Sequence, residues 1–179
     1  MKRPAGNRPA RIFRLFVIIG LIQLPLAARP QSNGAIAASS TCERSVLHQT
    51  AKVGDTGQHT INLDQRVCAW SPAITIGGAK GAEYTATGVD DIQFNRARDQ
   101  GYAVGTLENG DKYFLRYEGT SIMNGPVPMH LEGRWHFTGS TGKLAGLKGS
   151  GTYKARPSAD GRMLFGIEGK YAIPSRASK

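Results

Sequence analysis

The sequence has no apolar run long enough to span a membrane. Its longest, Leu15–Ala28 (LFVIIGLIQLPLAA), is 14 residues, against the roughly 20 that a transmembrane helix needs. Gln23 and Pro25 interrupt it, so a cleaved export signal is a better reading than a stable span. Catalytic signatures are missing too. No G-x-S-x-G elbow, phosphate-binding loop, H-E-x-x-H or dinucleotide fingerprint occurs, which removes the common hydrolase, nucleotide-binding and zinc-protease chemistries. Cysteine is limited to Cys42 and Cys68, and neither belongs to a C-x-x-C pair. Catalytic redox exchange and zinc binding therefore have no support. Helical periodicity is almost absent as well, which steers the fold class away from α-helical architectures.

What is present begins with the export signal. Lys2, Arg3, Arg8, Arg11 and Arg14 give a basic start ahead of the apolar run. Small-residue cleavage sites follow at Ala27 or Ala28, and again within Ala35-Ile36-Ala37-Ala38. Residues 1–38 read as signal peptide and flexible leader, with small, polar Gln31–Thr41 in the flexible part and a mature start between Ala28 and Ser40. A retained N-terminal anchor is the alternative. Lipidation of Cys42 is disfavoured, because Ser39 stands where an aliphatic residue is required. The reading places the protein in the periplasm or outside the cell, with no stable membrane span after processing.

Export also changes how the charge is read. The whole chain is +10, but residues 1–37 hold six basic groups and no acidic ones, which leaves 17 against 13 and a net of +4. Those charges are scattered along the chain, so nucleic acid is set aside as a partner. In an oxidising compartment Cys42 and Cys68 are expected to pair as one disulfide. It would close a loop of about 26 residues, worth roughly 3–4 kcal/mol in the chain-entropy account. Two free buried thiols are the alternative.

Residues 42–174 read as one domain and 175–179 as a polar tail. A strand begins within Cys42–Val53, and Gly54-Asp55-Thr56-Gly57 turns the chain. His59–Trp70 alternates as a half-buried strand does. Ser71-Pro72 is expected to break it, with a short strand at Ala73–Ile76 and a turn at Gly77-Gly78. Glu83–Gly88 suggests another strand, whereas Val89–Gly101 shows no period and reads as a loop, a short helix or a rim over a barrel mouth. Asn109-Gly110 between Tyr102–Leu107 and Lys112–Met123 predicts a hairpin with a type I′ turn. Tyr113, Leu115 and Tyr117 share one face of its second strand. Farther on, Met129, Leu131, Trp135 and Phe137 oppose His130, Glu132, Arg134 and His136. A glycine-rich link, Thr138–Gly151, contains one helical turn at Gly142–Leu147. It precedes a strand at Thr152–Arg156 and a last strand that puts Met163, Phe165, Ile167, Tyr171 and Ile173 on one face. Seven or eight strands joined by short turns make an all-β, antiparallel, up-and-down meander. Unpaired edges invite aggregation, so closure into a single β-barrel of about eight strands is expected.

The segment WHFTGSTGKLAGLKGSGTYKA resembles a run found in exported bacterial proteins related to the allene oxide cyclase and dirigent barrels, a calycin-like group. The matching positions are Trp135, Phe137, Thr138, Gly139, Thr141, Gly142, Lys143, Gly146, Gly149, Gly151 and Tyr153. Asn109-Gly110-Asp111 and the strand through Tyr117 are similar as well. The resemblance covers Gly101–Ile173 and is weak over Cys42–Trp70. It implies an eight-stranded barrel, and its glycines serve a close-packed turn. The plant cyclases close an unstable fatty-acid epoxide within such a barrel, and dirigent proteins guide the coupling of phenolic radicals. No functional residue of either group maps onto this chain.

Candidate sites follow from the inward face. Tyr113, Leu115, Tyr117, Met129, Leu131, Trp135, Phe137, Phe165, Ile167 and Tyr171 are placed to line a ligand cavity, or else to fill a core. His130, Glu132 and His136 do not make a metal site, because His130 and His136 lie roughly 20 Å apart along a strand. Asp90 and Asp91 would point apart in an extended chain and read as part of a solvated loop, not as an acid/base pair. Catalytic residues cannot be assigned, and no cofactor is called for. The leading functional reading is a non-enzymatic exported barrel that binds a small hydrophobic molecule or an envelope partner, with homo-oligomerisation left open. The alternative is a cyclase or isomerase acting on a reactive hydrophobic substrate. An inward carboxylate would favour that alternative, and a wholly apolar interior would count against it.

Overall fold

The computed structural model describes residues 31–174. The run expected to be an export signal and the residues expected to form a polar tail lie outside the described residues. Nine strands follow in order: β1 (Gln31–Cys42), β2 (Leu47–Lys52), β3 (His59–Ile76), β4 (Ala79–Gln93), β5 (Arg96–Thr106), β6 (Lys112–Asn124), β7 (Val127–Ser140), β8 (Lys148–Pro157) and β9 (Met163–Pro174). One 3-10 turn, Gly142–Leu144, joins β7 to β8. Each strand from β3 to β9 pairs antiparallel with its sequence neighbour.

The sheet closes through β1. On one side β1 pairs with β9 along its length, Gln31 opposite Pro174 through Cys42 opposite Met163. On the other, Ser39–Cys42 pair with Cys68–Ser71 of β3. Eight strands therefore form the closed antiparallel barrel. β2 lies outside the ring, on the same edge of β3 as β1 but farther along, opposite Thr60–Gln65. Cys42 and Cys68 face each other across the closing seam and form the expected disulfide, with Cα atoms 3.9 Å apart.

Three expectations change. Gln31–Thr41 is the first wall strand, held by ladder hydrogen bonds on both sides where β3 and β9 flank it. Its small residues suit close packing, as at Gly34, where a methyl group would overlap the Tyr171 ring. Ser71-Pro72 does not end β3. The peptide between them is cis, and the strand passes through with a register shift against β4 between Ala69 and Ile74. Val89–Gly101 is neither loop nor helix but the end of β4, a tight turn at Phe94-Asn95 and the start of β5. Phe94 takes a positive φ of 56° there.

One end of the barrel is plugged. Leu144 and Leu147 from the glycine-rich link turn inward with Ile76 and Ile173, all buried. The other end is formed by β2 and the adjoining halves of β3 to β7. β8 does not reach it, since its ladder with β7 covers only Leu131–His136. Glycines in the strands let large rings lie flat against the wall. Tyr153 crosses Gly133 of β7 and Gly119 of β6, and Tyr117 crosses Gly101 of β5 and Gly88 of β4. A side chain at any of these glycines would occupy the place of a tyrosine ring or hydroxyl.

Candidate functional site: a barrel cavity with an acidic mouth

Inward side chains enclose a cavity of about 200 Å³. For scale, an apolar cavity of roughly 150 Å³ holds benzene. Its deeper wall is aromatic. Trp70 and Tyr84 pack at a tilt of 38° with centroids 4.7 Å apart, and Phe137 makes edge-to-face pairs with Tyr113 and Trp135. These rings satisfy their own polar tips. Trp70 Nε1 donates to the Tyr113 hydroxyl at 3.1 Å, Trp135 Nε1 donates to the Glu168 carbonyl at 3.2 Å, and the Tyr84 and Ser40 hydroxyls bond at 2.7 Å. Burial pushes the Tyr84 phenol up to about 12, and pushes Tyr113 up further, so both stay neutral. The aromatic end is a fixed, uncharged wall.

The mouth is different. Asp64 of β3, Asp90 of β4 and Asp99 of β5 all turn inward and line the cavity. Asp64 is well served. The Ser45 hydroxyl donates to it, His48 Nδ1 lies 2.9 Å away and Arg66 Nη2 lies 3.9 Å away. Asp99 accepts one hydrogen bond at Oδ2, from the Tyr153 hydroxyl at 2.6 Å. Its Oδ1 is buried with no partner among the described residues. Burial raises the Asp99 carboxyl above the ordinary range, against the Tyr153 bond that lowers it. Asp90 is pushed up to about 7, chiefly by burial and then by the charges of Asp64 and Asp99.

Most of the expected lining is brought together. Tyr113, Leu115, Tyr117, Leu131, Trp135, Phe137, Phe165 and Ile167 all face the cavity. Met129 does not. A bulge between Ile122 and Met123 changes the parity of β7, so Pro128 takes the inward place and Met129 is 47% exposed. Tyr171 sits near the plugged end, packed on Gly34 with its hydroxyl accepting from the Gly77 amide at 3.3 Å, outside the cavity wall. His130, Glu132 and His136 are exposed on the outer face. Among the described residues no three His, Cys, Asp or Glu side chains are grouped to hold a metal ion.

The aspartate pair reads differently in three dimensions. Strand alternation sends Asp90 into the barrel and Asp91 out of it. Asp91 Oδ1 accepts from His59 Nε2 at 2.9 Å, while Asp55 accepts from His59 Nδ1 at 2.8 Å. Hydrogen bonds from both ring nitrogens, that to Asp55 foremost, raise the His59 pKa. This clamp ties the β2–β3 turn to β4 and stands apart from the cavity.

No family model matches the chain, and neither does any curated protein. Among solved structures, the chain is similar to the pterocarpan synthase dirigent protein GePTS1. The match has a TM-score of 0.51 and 11% identity, covering 84% of this chain and 95% of that one. At that identity the likeness is one of fold: the chain shares the barrel architecture of that protein. Among the described residues no helix is long and apolar enough to cross a membrane.

Proposed function

We propose that the protein is an exported barrel that binds a small, largely apolar molecule in its interior. The apolar part would rest on Trp70, Phe137 and Phe165, with a polar end at the aspartate mouth. One observation carries this reading: the cavity persists between aromatic side chains whose hydrogen bonds fix them in place. The wall glycines let Tyr117 and Tyr153 lie back against the sheet, which leaves room beside them. The fold neighbour is named as a synthase of a small molecule, which fits a barrel used as a container. Native mass spectrometry of the exported, disulfide-bonded protein tests the proposal. An extra mass that is lost on denaturation supports it. A protein with no extra mass that also takes up no added butylbenzene overturns it.

An inward carboxyl favours a second reading, in which the barrel isomerises or cyclises what it binds. Asp90 sits near half-ionisation at neutral pH, the state in which one group both accepts and returns a proton. If the bound molecule is converted to a product of equal mass by the parent protein and not by Asp90→Asn, this reading holds. Equal conversion by both removes it.

A further inference from the structure

Asp90 and Asp99 are cross-strand partners in the β4–β5 ladder, and both point inward. Like charges placed directly opposite destabilise a sheet unless something offsets them. Asp64 stands diagonal to Asp90, opposite Gly88. Arg66 is the one arginine lining the cavity among the described residues, and it is committed to Asp64 and to the Glu43 carbonyl at 3.4 Å. Asp90 has no hydrogen-bond or ion-pair partner among the described residues. Asp99 is 7% exposed, lines the cavity and leaves Oδ1 without a partner among them. The mouth is therefore two carboxyls short of a cation. The aspartates belong to no cluster suited to a metal ion among the described residues, and the wall behind them is aromatic. Both features favour an organic cation over an inorganic one.

We infer that the molecule held in the barrel is a cationic amphiphile, with a protonated amine between Asp90 and Asp99 and an apolar or aromatic body against the inner wall. The inference rests on the cavity reading above and adds the charge of the ligand. An ammonium donates three hydrogen bonds, enough to reach Asp99 Oδ1 and the Asp90 carboxylate together. Charge-assisted bonds of this kind are roughly twice as strong as neutral ones. The rings of Tyr117 and Tyr153 flank the same mouth, and aromatic faces attract a cation further. A carboxylate ligand would meet repulsion instead.

The groups facing Asp90 are Asp64 and Arg66 of β3, Asp99 of β5, His48 of β2, Tyr117 of β6 and Tyr153 of β8. With Asp90 raised to about 7, an ammonium that binds its ionised form displaces a proton. Amine affinity then rises from about pH 6 to about pH 8.

A matched phenyl series tests this on the mature, disulfide-bonded protein: phenylbutylamine, phenylbutanol, butylbenzene and phenylbutyrate. Trp70 and Trp135 lie on the cavity wall, and their fluorescence reports binding. At about pH 8 the amine is expected to bind at least about tenfold more tightly than the alcohol or the hydrocarbon, a difference of about 1.4 kcal/mol. Phenylbutyrate is expected to be weakest. The amine's advantage should shrink several-fold in Asp90→Asn and in Asp99→Asn, and persist in Glu132→Gln on the outer face. Asp90→Asn has no side-chain bond to lose, so it carries the test even if Asp99→Asn fails to fold. Equal binding of amine, alcohol and hydrocarbon, or tighter binding of phenylbutyrate, overturns the cation while leaving the cavity. An amine preference unchanged in Asp90→Asn overturns the assignment to this pair. Failure of all four compounds, on a protein that carries no extra mass in its native spectrum, overturns both readings.

Discussion

Asp90 shows how one residue trades stability for a site. An aspartate in water ionises near 3.9, and in the barrel mouth the same group is held up to about 7. Between those values the folded chain keeps a proton that the unfolded chain has released. By linkage, this group's contribution is most favourable below about pH 4 and is lost as pH rises towards 7, leaving a constant penalty above that. Asp90→Asn removes the charge and keeps the shape. The variant is expected to be more stable than the parent at about pH 8, by about 2 kcal/mol after allowance for partial solvent screening. The gain should vanish near pH 4. Urea denaturation at the two pH values checks this, and a gain that ignores pH would refute the cause given for it.

The same residue explains why the site was hard to read from sequence. Alternation reveals a strand when inward positions are apolar and outward ones polar. Along β4 and β5 the inward positions include Gly88, Asp90, Asp99 and Gly101. The aspartates belong to the mouth and the glycines make way for Tyr117. Residues 89–101 therefore show no apolar period because they build the mouth of the cavity. The aromatic wall was legible because Tyr113, Trp135 and Phe165 are large, apolar and regularly spaced. Met129 is turned outward by a bulge beside Pro128, which shifts parity by one residue where simple alternation carries the inward face straight through.

At the scale of elements, β1 is the main revision. A run of small polar residues resembles a leader in sequence, yet it forms the barrel wall because β9 and β3 supply its ladder partners. This bears on processing. A cut within Ala35–Ala38 would leave only a stub of β1, whereas a cut after Ala27 or Ala28 leaves the strand whole. The mature N-terminus, read by intact mass, is expected to fall ahead of Gln31, and a chain begun at Ser39 should be insoluble or unfolded. A soluble, folded product starting at Ser39 would mean that β1 is dispensable. Loss of its ladder with β9 alone removes the partners of Gln31–Ala38.

For the molecule as a whole, the meander and its closure were legible from strand count and edge logic. The position of β2 was not. It lies outside the ring, and nothing in LHQTAK distinguishes it from a wall strand. Closure itself is narrow. The β1–β3 seam is a ladder of only four residue pairs, and the disulfide lies at one end of it. Removing the disulfide with Cys42→Ala and Cys68→Ala together is expected to cost about 3 kcal/mol. Hydrogen exchange should rise first along Ser39–Cys42 and Cys68–Ser71. Uniform exchange across all strands would show that the seam is no weaker than the rest of the wall.

The pairing of β1 with β9 also sets an order in time. Hairpins from β3 to β9 form between neighbours, but the opening strand waits for the closing one, whose residues lie at the far end of the described chain. Until β9 arrives, β1 has only its short seam with β3, and the sheet is a curl with an unpaired lip. Contacts so distant in sequence form late, and exposed strand edges recruit other chains meanwhile. A defect in the final strand is therefore felt first at the beginning of the barrel.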